Sequence, residues 1–144
     1  MPGTPRLPAP IDRLYTLYAY LAFLPIAVIA LLGMLLPGLG LRRRVARAAA
    51  RSWLALTGMQ LDVRHADRLP SGHCVLVANH AGYLDGLVLT AALPPRFGFV
   101  IKREMSGVPL AGLLLSRIGS EFVERFDRQK GASDARRVLR TASN

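Results

Sequence analysis

The 144 residues contain one cysteine and three histidines, so the side chains that most often bind transition metals are scarce. Cys74 is alone, which excludes an internal disulfide bond and suits a reducing compartment. His65 and His73 do not have the spacing of metal ligands, and Cys74 lies in an apolar segment without an activating neighbour. We therefore expect no metal site and no nucleophilic role for the thiol.

Acidic residues are also scarce: 9 Asp and Glu stand against 19 Lys and Arg, which gives a formal net charge of +10. Such an excess suits an anionic partner, whether nucleic acid, an anionic membrane surface or a phosphorylated substrate. Aromatic residues make up 7% of the chain and do not alternate with the basic ones as a stacking platform requires. No nucleic-acid partner is therefore expected.

Charge is absent altogether from Leu14 to Leu41. As a helix, residues 14–36 would be about 34 Å long, enough to cross a bilayer core. Pro25 predicts a kink, and the Pro-Gly pair at 37–38 predicts the end of the helix. Two interpretations follow: a helix that spans the membrane, or one that dips into a single leaflet.

An arginine-rich stretch follows the apolar segment and, by the positive-inside rule, places the rest of the chain in the cytoplasm. Apolar residues recur within 42–59 at a spacing that predicts an amphipathic helix: Val45, Ala49, Trp53 and Leu56. Arg43, Arg47 and Arg51 recur every four residues on another face. They form either a solvated face or a contact with anionic headgroups, and the neighbouring membrane segment favours headgroup contact.

Beyond residue 59, short apolar runs alternate with helical patterns, which predicts an α/β sheet with right-handed crossovers. The predicted strands are 61–64, 74–78, 97–101 and 121–124, and the predicted helices are 83–93, 109–118 and 134–140. Residues 74–78 form a continuous apolar run, as in a strand buried on both faces. We therefore predict a membrane-associated helical region at 1–58 and an α/β domain at 59–144.

The segment 79–85 carries a possible catalytic pair. His80 directly follows the predicted strand 74–78, and ligands bind at the carboxyl ends of strands in open α/β sheets. His80 and Asp85 would point about 140° apart on one continuous helix. They can meet if His80 lies in a loop and Asp85 in the first helical turn, with Gly82 allowing the bend. Asp85 would then orient the imidazole as a general base; alternatively, His80 only packs at a strand end.

Three ordered blocks resemble those of the glycerolipid acyltransferase family, in particular its bacterial members that acylate 1-acylglycerol-3-phosphate. Residues 77–85, Val-Ala-Asn-His-Ala-Gly-Tyr-Leu-Asp, are similar to the family's Asn-His-x4-Asp box. Residues 100–112 are similar to its Lys-x-Glu and Pro-x-x-Gly stretch, and residues 119–125 to its Gly-x-x-Phe-(Ile/Val)-x-Arg box. The resemblance extends over residues 60–130 or so, and the order of the blocks is more specific than the first block alone.

This resemblance implies an O-acyltransferase that moves a fatty acyl group from acyl-CoA or acyl carrier protein to the free hydroxyl of 1-acylglycerol-3-phosphate, forming phosphatidic acid. His80 and Asp85 would be its catalytic pair, and Lys102 and Arg125 would bind the acceptor phosphate. No cofactor is implied beyond the acyl donor. The implied location is the inner membrane, with the catalytic part on its cytoplasmic face. Supporting roles are expected for Asn79, Glu104, Pro109 and Gly112.

One departure from the family's pattern matters. The later Glu-Gly-Thr-Arg box, which binds acceptor phosphate in the family, does not occur in the sequence. We therefore expect an N-terminal fragment with a partial α/β domain, whose sheet lacks strands and leaves an exposed edge. Three hypotheses follow: the acyltransferase itself, a non-catalytic membrane-anchored remnant that binds anionic lipid, and an acyltransferase for another lyso-lipid such as lyso-ornithine lipid.

Overall fold

The computed structural model describes residues 9–79, 82, 84–124, 133–134, 136–137 and 140. This part of the chain is mostly helical with a small parallel sheet. The helices are α1 (Ala9–Gly33), α2 (Leu39–Leu56), α3 (Asp85–Ala92) and α4 (Ala111–Arg117), and the strands are β1 (Val100–Lys102) and β2 (Glu121–Val123). Two short 3₁₀ helices cover Ala66–Arg68 and Arg103–Gly107.

Helices α1 and α2 form an antiparallel hairpin. The Tyr15 hydroxyl, near the start of α1, donates to the carbonyl of Thr57 at the end of α2, over 2.8 Å. At the other end, a Cβ added to Gly33 would collide with the Val45 side chain, so the two backbones approach closely. Between these points the Trp53 indole donates to an α1 carbonyl. The two helices therefore contact each other along nearly the whole length of α1.

Helix α2 is the central element of the core. One buried cluster joins Trp53 of α2 to Ala91 of α3, with Ala22 and Ile26 of α1 packed against it. A second buried cluster joins residues of α1, α2 and the end of α4: Met34, Ala46 and Ile118. Side chains as small as alanine on α2 let the neighbouring helices approach.

The arginine row of α2 donates hydrogen bonds to backbone carbonyls of the protein, a role that neither interpretation of that row included. Arg43 donates through Nε to the carbonyl of Ile118, over 2.8 Å, and through Nη1 to that of Arg96, over 2.8 Å. Arg47 and Arg51 both donate to the carbonyl of Ala91, each over 3.3 Å. These guanidinium groups satisfy carbonyls at the ends of α3 and α4, which lack helical partners. Burial lowers the pKa of Arg43.

The predicted strands 61–64 and 74–78 do not form. The latter segment is extended without ladder partners, and Val75 and Val77 are 73% and 88% exposed rather than buried. A strand is stable only with a neighbour to accept its hydrogen bonds, and within the described residues the sheet has two strands, β1 and β2. The sequence predicted a sheet that lacks strands, but not that residues 74–78 would be among those left without a partner.

The other predicted elements form with shifted ends. Helix α3 starts at Asp85, two residues later than predicted, and Pro94 follows its end. Strands β1 and β2 pair in parallel, with Lys102 opposite Val123. Of the predicted helix 134–140, residues 134, 136, 137 and 140 are helical, and the others lie outside the described residues.

Candidate active site

The chain between Asn79 and Asp85 turns from an extended segment into a helix. Asn79 is exposed at the end of the extended segment, and Asp85 is the first residue of α3. The backbone N–H of Gly82 donates to Oδ2 of Asp85 over 2.9 Å, and the N–H of Asp85 donates to the carbonyl of Gly82 over 3.3 Å. This reciprocal pair fixes the carboxylate at the corner. His80 lies outside the described residues.

The ends of α3 carry opposite charges that match its dipole. The Asp85 carboxylate lies in the first turn, where the dipole favours an anion. Arg47 and Arg51 donate to Ala91 in the last turn, where it favours cations. Asp85 lies in the first helical turn, which is one of the two placements that the five-residue spacing requires; the other concerns His80, outside the described residues. Helix α3 is therefore held from α2 at one end and presents its carboxylate at the other.

Lys102 lies at the carboxyl edge of the sheet. It is the last residue of β1, it is exposed, and its register partner Val123 ends β2. The carboxyl ends of parallel strands share one edge, so the chain that continues from β2 starts beside Lys102. Among the described residues, no acidic side chain forms an ion pair with the Lys102 ammonium. Arg125, the other predicted phosphate ligand, lies outside the described residues.

The supporting residues lie in the segment between β1 and α4. Glu104 is exposed in the 3₁₀ helix, and Arg103 takes Asp134 and Glu124 as ion partners instead of Glu104. Pro109 accepts a hydrogen bond from Ala111 at the start of α4. Gly112 is buried, and a Cβ there would collide with the backbone carbonyl of Ser106, so the close approach requires glycine. The hydrogen bond to Pro109 and the close packing of Gly112 agree with structural roles for both residues.

An ion network at the same edge was not predicted from the sequence. Asp134 has a side chain only 4% exposed, and its Oδ2 accepts from Arg103 Nη2 over 2.6 Å and from the N–H of Glu124 over 3.0 Å. Its Oδ1 lies 2.9 Å from Arg137 Nη1. The hydrogen bond from the Glu124 N–H, followed by that from Arg103, lowers the pKa of Asp134. The three-residue spacing of Asp134 and Arg137 was the one local signal.

The network predicts an acid-dependent loss of stability. The pKa of Asp134 is lower in the folded chain than its ordinary value near 4, so its contribution is present above about pH 4 and is lost as pH falls through the folded pKa. We expect the melting temperature of the parent protein to fall between pH 5 and pH 3 more steeply than that of Asp134→Asn. This pH range lies around the ordinary carboxyl pKa of about 4. Thermal unfolding followed by circular dichroism measures this. Parallel curves for both proteins would contradict it.

Residues 60–144 match the family described as Acyltransferase. The chain is 34% identical over 76 residues to the human (Homo sapiens) 1-acyl-sn-glycerol-3-phosphate acyltransferase beta, covering 52% of this chain and 27% of that protein. It is 28% identical over 86 residues to the 1-acyl-sn-glycerol-3-phosphate acyltransferase of Helicobacter pylori (strain J99), covering 60% of this chain and 35% of that protein. No solved structure matches the chain significantly.

The match extends over more than half of the chain. The chain belongs to the acyltransferase family, and its similarity to the two relatives confirms the resemblance to glycerolipid acyltransferases. It spans about a third of the length of those relatives.

Proposed function

We propose that this chain carries the catalytic base of a glycerolipid O-acyltransferase whose acceptor is 1-acylglycerol-3-phosphate and whose product is phosphatidic acid. The observation that carries the proposal is the corner at 79–85. The Asp85 carboxylate is anchored at the start of α3 and turned back toward Gly82, two residues after His80 in the sequence. Both relatives are named for this acceptor. The parallel pair β1–β2 with its helices supports an α/β architecture for the catalytic part.

In the proposed mechanism, His80 accepts the proton of the acceptor hydroxyl as that oxygen attacks the carbonyl carbon of an acyl thioester. A C–O bond forms, the C–S bond breaks, and the proton passes from His80 to the departing thiolate. Asp85 holds the imidazole in the required tautomer and stabilises the imidazolium. The acyl donor is the thioester of coenzyme A or of acyl carrier protein, and this chemistry needs no metal or resident cofactor.

The proposed acceptor site uses Lys102 and Arg125 as ligands of the phosphate. Support comes from the exposure of the Lys102 ammonium at the carboxyl edge, without an acidic partner among the described residues. An ammonium provides a point charge and a guanidinium a bidentate fork, so the two together match a phosphate group.

We further propose that the hairpin of α1 and α2 lies along the plane of the cytoplasmic leaflet of the inner membrane. Residues Pro10–Gly33 are long and apolar enough to cross a membrane, and this favours membrane association. However, α2 contacts α1 along nearly the whole length of α1. Helix α2 also carries five arginines from Arg42 to Arg51. A spanning α1 would take those charges through the hydrocarbon, at a cost of about 2.5 kcal/mol or more per arginine. An in-plane hairpin avoids that cost.

The acceptor is tested with a panel of lyso-lipids. The 144-residue protein in detergent micelles is given an acyl-CoA or an acylated carrier protein together with lysophosphatidate, lyso-ornithine lipid or monoacylglycerol. We expect kcat/KM to be highest with lysophosphatidate, by about 10-fold or more, because only that acceptor offers a phosphate to the basic ligands. Preference for lyso-ornithine lipid would contradict the proposed acceptor.

A second candidate function is a non-catalytic lipid-binding protein. The observation that favours it is the apolar segment leading to the corner, in which Val75 and Val77 are largely exposed. A catalytic base needs a rigid support, and an unpaired segment supplies less support than a strand. Membrane binding without turnover for any lyso-lipid in the panel would favour this second function.

A further inference from the structure

Among the described residues at the carboxyl edge of the sheet, Asp134 has the most buried charged side chain. Its carboxylate is 4% exposed and is satisfied by two arginines and one backbone N–H. Burying a carboxylate is costly unless it is paired and hydrogen-bonded, as this one is. Such a group fixes the geometry of whatever it binds, because moving any partner leaves a buried charge uncompensated.

The partners of Asp134 are the immediate neighbours of the two proposed phosphate ligands. Arg103 follows Lys102 at the end of β1, and Glu124 precedes Arg125 at the end of β2. One oxygen, Oδ2, accepts from the Arg103 guanidinium and from the Glu124 N–H. The carboxylate thus joins the ends of the two strands where the chain leaves the sheet.

The network extends along β2 through Arg137. Its Nη1 lies 2.9 Å from Asp134, its Nε 3.1 Å from the Glu121 carboxylate at the start of β2, and its Nη2 donates to the carbonyl of Phe122 over 3.0 Å. Arg137 therefore connects Asp134 to β2, the strand whose end Asp134 helps to fix. This arrangement leaves the carboxylate little freedom to move with solvent.

The same contacts give the adjacent basic side chains of Lys102 and Arg103 different surroundings. Arg103 lies between Asp134 and Glu124, so its charge is compensated within the protein and its pKa is raised, chiefly by the hydrogen bond with Asp134. Lys102, one residue earlier, is exposed with no ion pair among the described residues. An incoming phosphate would therefore meet the ammonium of Lys102 and not the guanidinium of Arg103.

We propose that Asp134 is a positioning residue for acceptor binding: by joining Arg103 to the Glu124 backbone, it fixes the ends of β1 and β2 and holds Lys102 where it meets the acceptor phosphate. This inference rests on the proposed function of Lys102. Asp134 itself touches no substrate. Its effect is on the affinity for acceptors that carry a phosphate and not on the acyl transfer step.

The test compares Asp134→Asn, Lys102→Ala and the control Asp62→Asn in the 144-residue protein. Asp62 is a suitable control because it also forms an ion pair with an arginine, Arg64, but lies exposed and outside the network. Kinetics with lysophosphatidate and monoacylglycerol are combined with calorimetric binding of lysophosphatidate. For Asp134→Asn we expect KM and Kd for lysophosphatidate to rise about 10-fold, since a shift near 1 Å in a binding group costs up to about 100-fold. We expect kcat and the KM for monoacylglycerol to stay within about twofold, as for an interaction made equally in the ground and transition states.

Several outcomes separate this inference from the proposed function. A Lys102→Ala change added to Asp134→Asn should cause less loss than it does alone, because the two act on one contact. If the protein transfers acyl groups and Asp134→Asn behaves like Asp62→Asn, or lowers kcat equally for both acceptors, the inference is overturned and the function stands. If the parent binds lysophosphatidate no better than monoacylglycerol, both are overturned. Should Asp134→Asn melt early, Arg103→Gln breaks the same contact from the other side and must raise the same KM.

Discussion

Replacement of His80 by alanine is expected to lower kcat for acyl transfer to lysophosphatidate by about 1,000-fold, within the range of about 10²–10⁴ for a general base. The hydroxyl of the acceptor is a weak nucleophile until its proton is removed, and the proposed mechanism provides one group to remove it. KM for the acceptor should change little, since the phosphate is bound elsewhere. Initial rates with a radiolabelled acyl-CoA measure the effect.

The partner variant Asp85→Asn tests the orientation of the base. The amide keeps the shape of the side chain but its NH₂ group cannot accept the hydrogen bond that selects the tautomer, so a loss of about 100-fold or more is expected. His73→Ala is the control, because His73 is an exposed histidine upstream of the same extended segment. Full activity of His80→Ala, or an equal loss in His73→Ala, would show that the base has been assigned incorrectly.

Charging the outer face of α1 is expected to release the protein from lipid. Leu21 and Leu32 are 62% and 61% exposed and lie eleven residues apart, about three helical turns, so they share one face. Each leucine contributes about 1.5 kcal/mol or more when buried in lipid, so the double change Leu21→Glu and Leu32→Glu should weaken binding to anionic vesicles by about 100-fold. Flotation of the protein with vesicles of mixed phosphatidylcholine and phosphatidylglycerol measures the bound fraction.

The control for this experiment is Leu113→Glu. Leu113 is 50% exposed on α4, outside the two helices of the hairpin, so its replacement adds one surface charge without changing the exposed leucines of α1. Both variants should keep the helical circular dichroism of the parent, because all three leucines point outward. Equal vesicle binding by the double variant and the parent would contradict the in-plane placement of the hairpin.

The local patterns predicted those elements that local forces decide. The uncharged run 14–36 and the amphipathic stretch 42–59 correspond to α1 and α2, and the Pro-Pro pair at 94–95 follows α3. The parallel direction of β1 and β2 agrees with their alternation with helices in the sequence. These features depend on residues near one another in the sequence, so a single sequence contains the information.

The predictions that failed depended on distant partners. Residues 74–78 have the composition of a buried strand, but burial requires neighbours that the described sheet does not provide. The direction of Arg43 was decided by carbonyls 53 and 75 residues away. Asp134 gained its role from Arg103, which lies 31 residues earlier. The position of Asp85 depends on a local turn, and for that reason the spacing argument anticipated its place at the start of α3.

The inward arginine row of α2 also sets an order of events during synthesis. The ribosome releases α1 and α2 before Ala91 and Ile118, whose carbonyls accept hydrogen bonds from Arg47, Arg51 and Arg43. Until those carbonyls emerge, the guanidinium groups are hydrated on the nascent chain, while the leucine face of α1 is already complete. The hairpin can therefore reach the lipid first, and α3 and α4 then fold onto it. A substitution in the row would thus delay or misdirect the docking of α3 and α4 without changing the residues at 79–85.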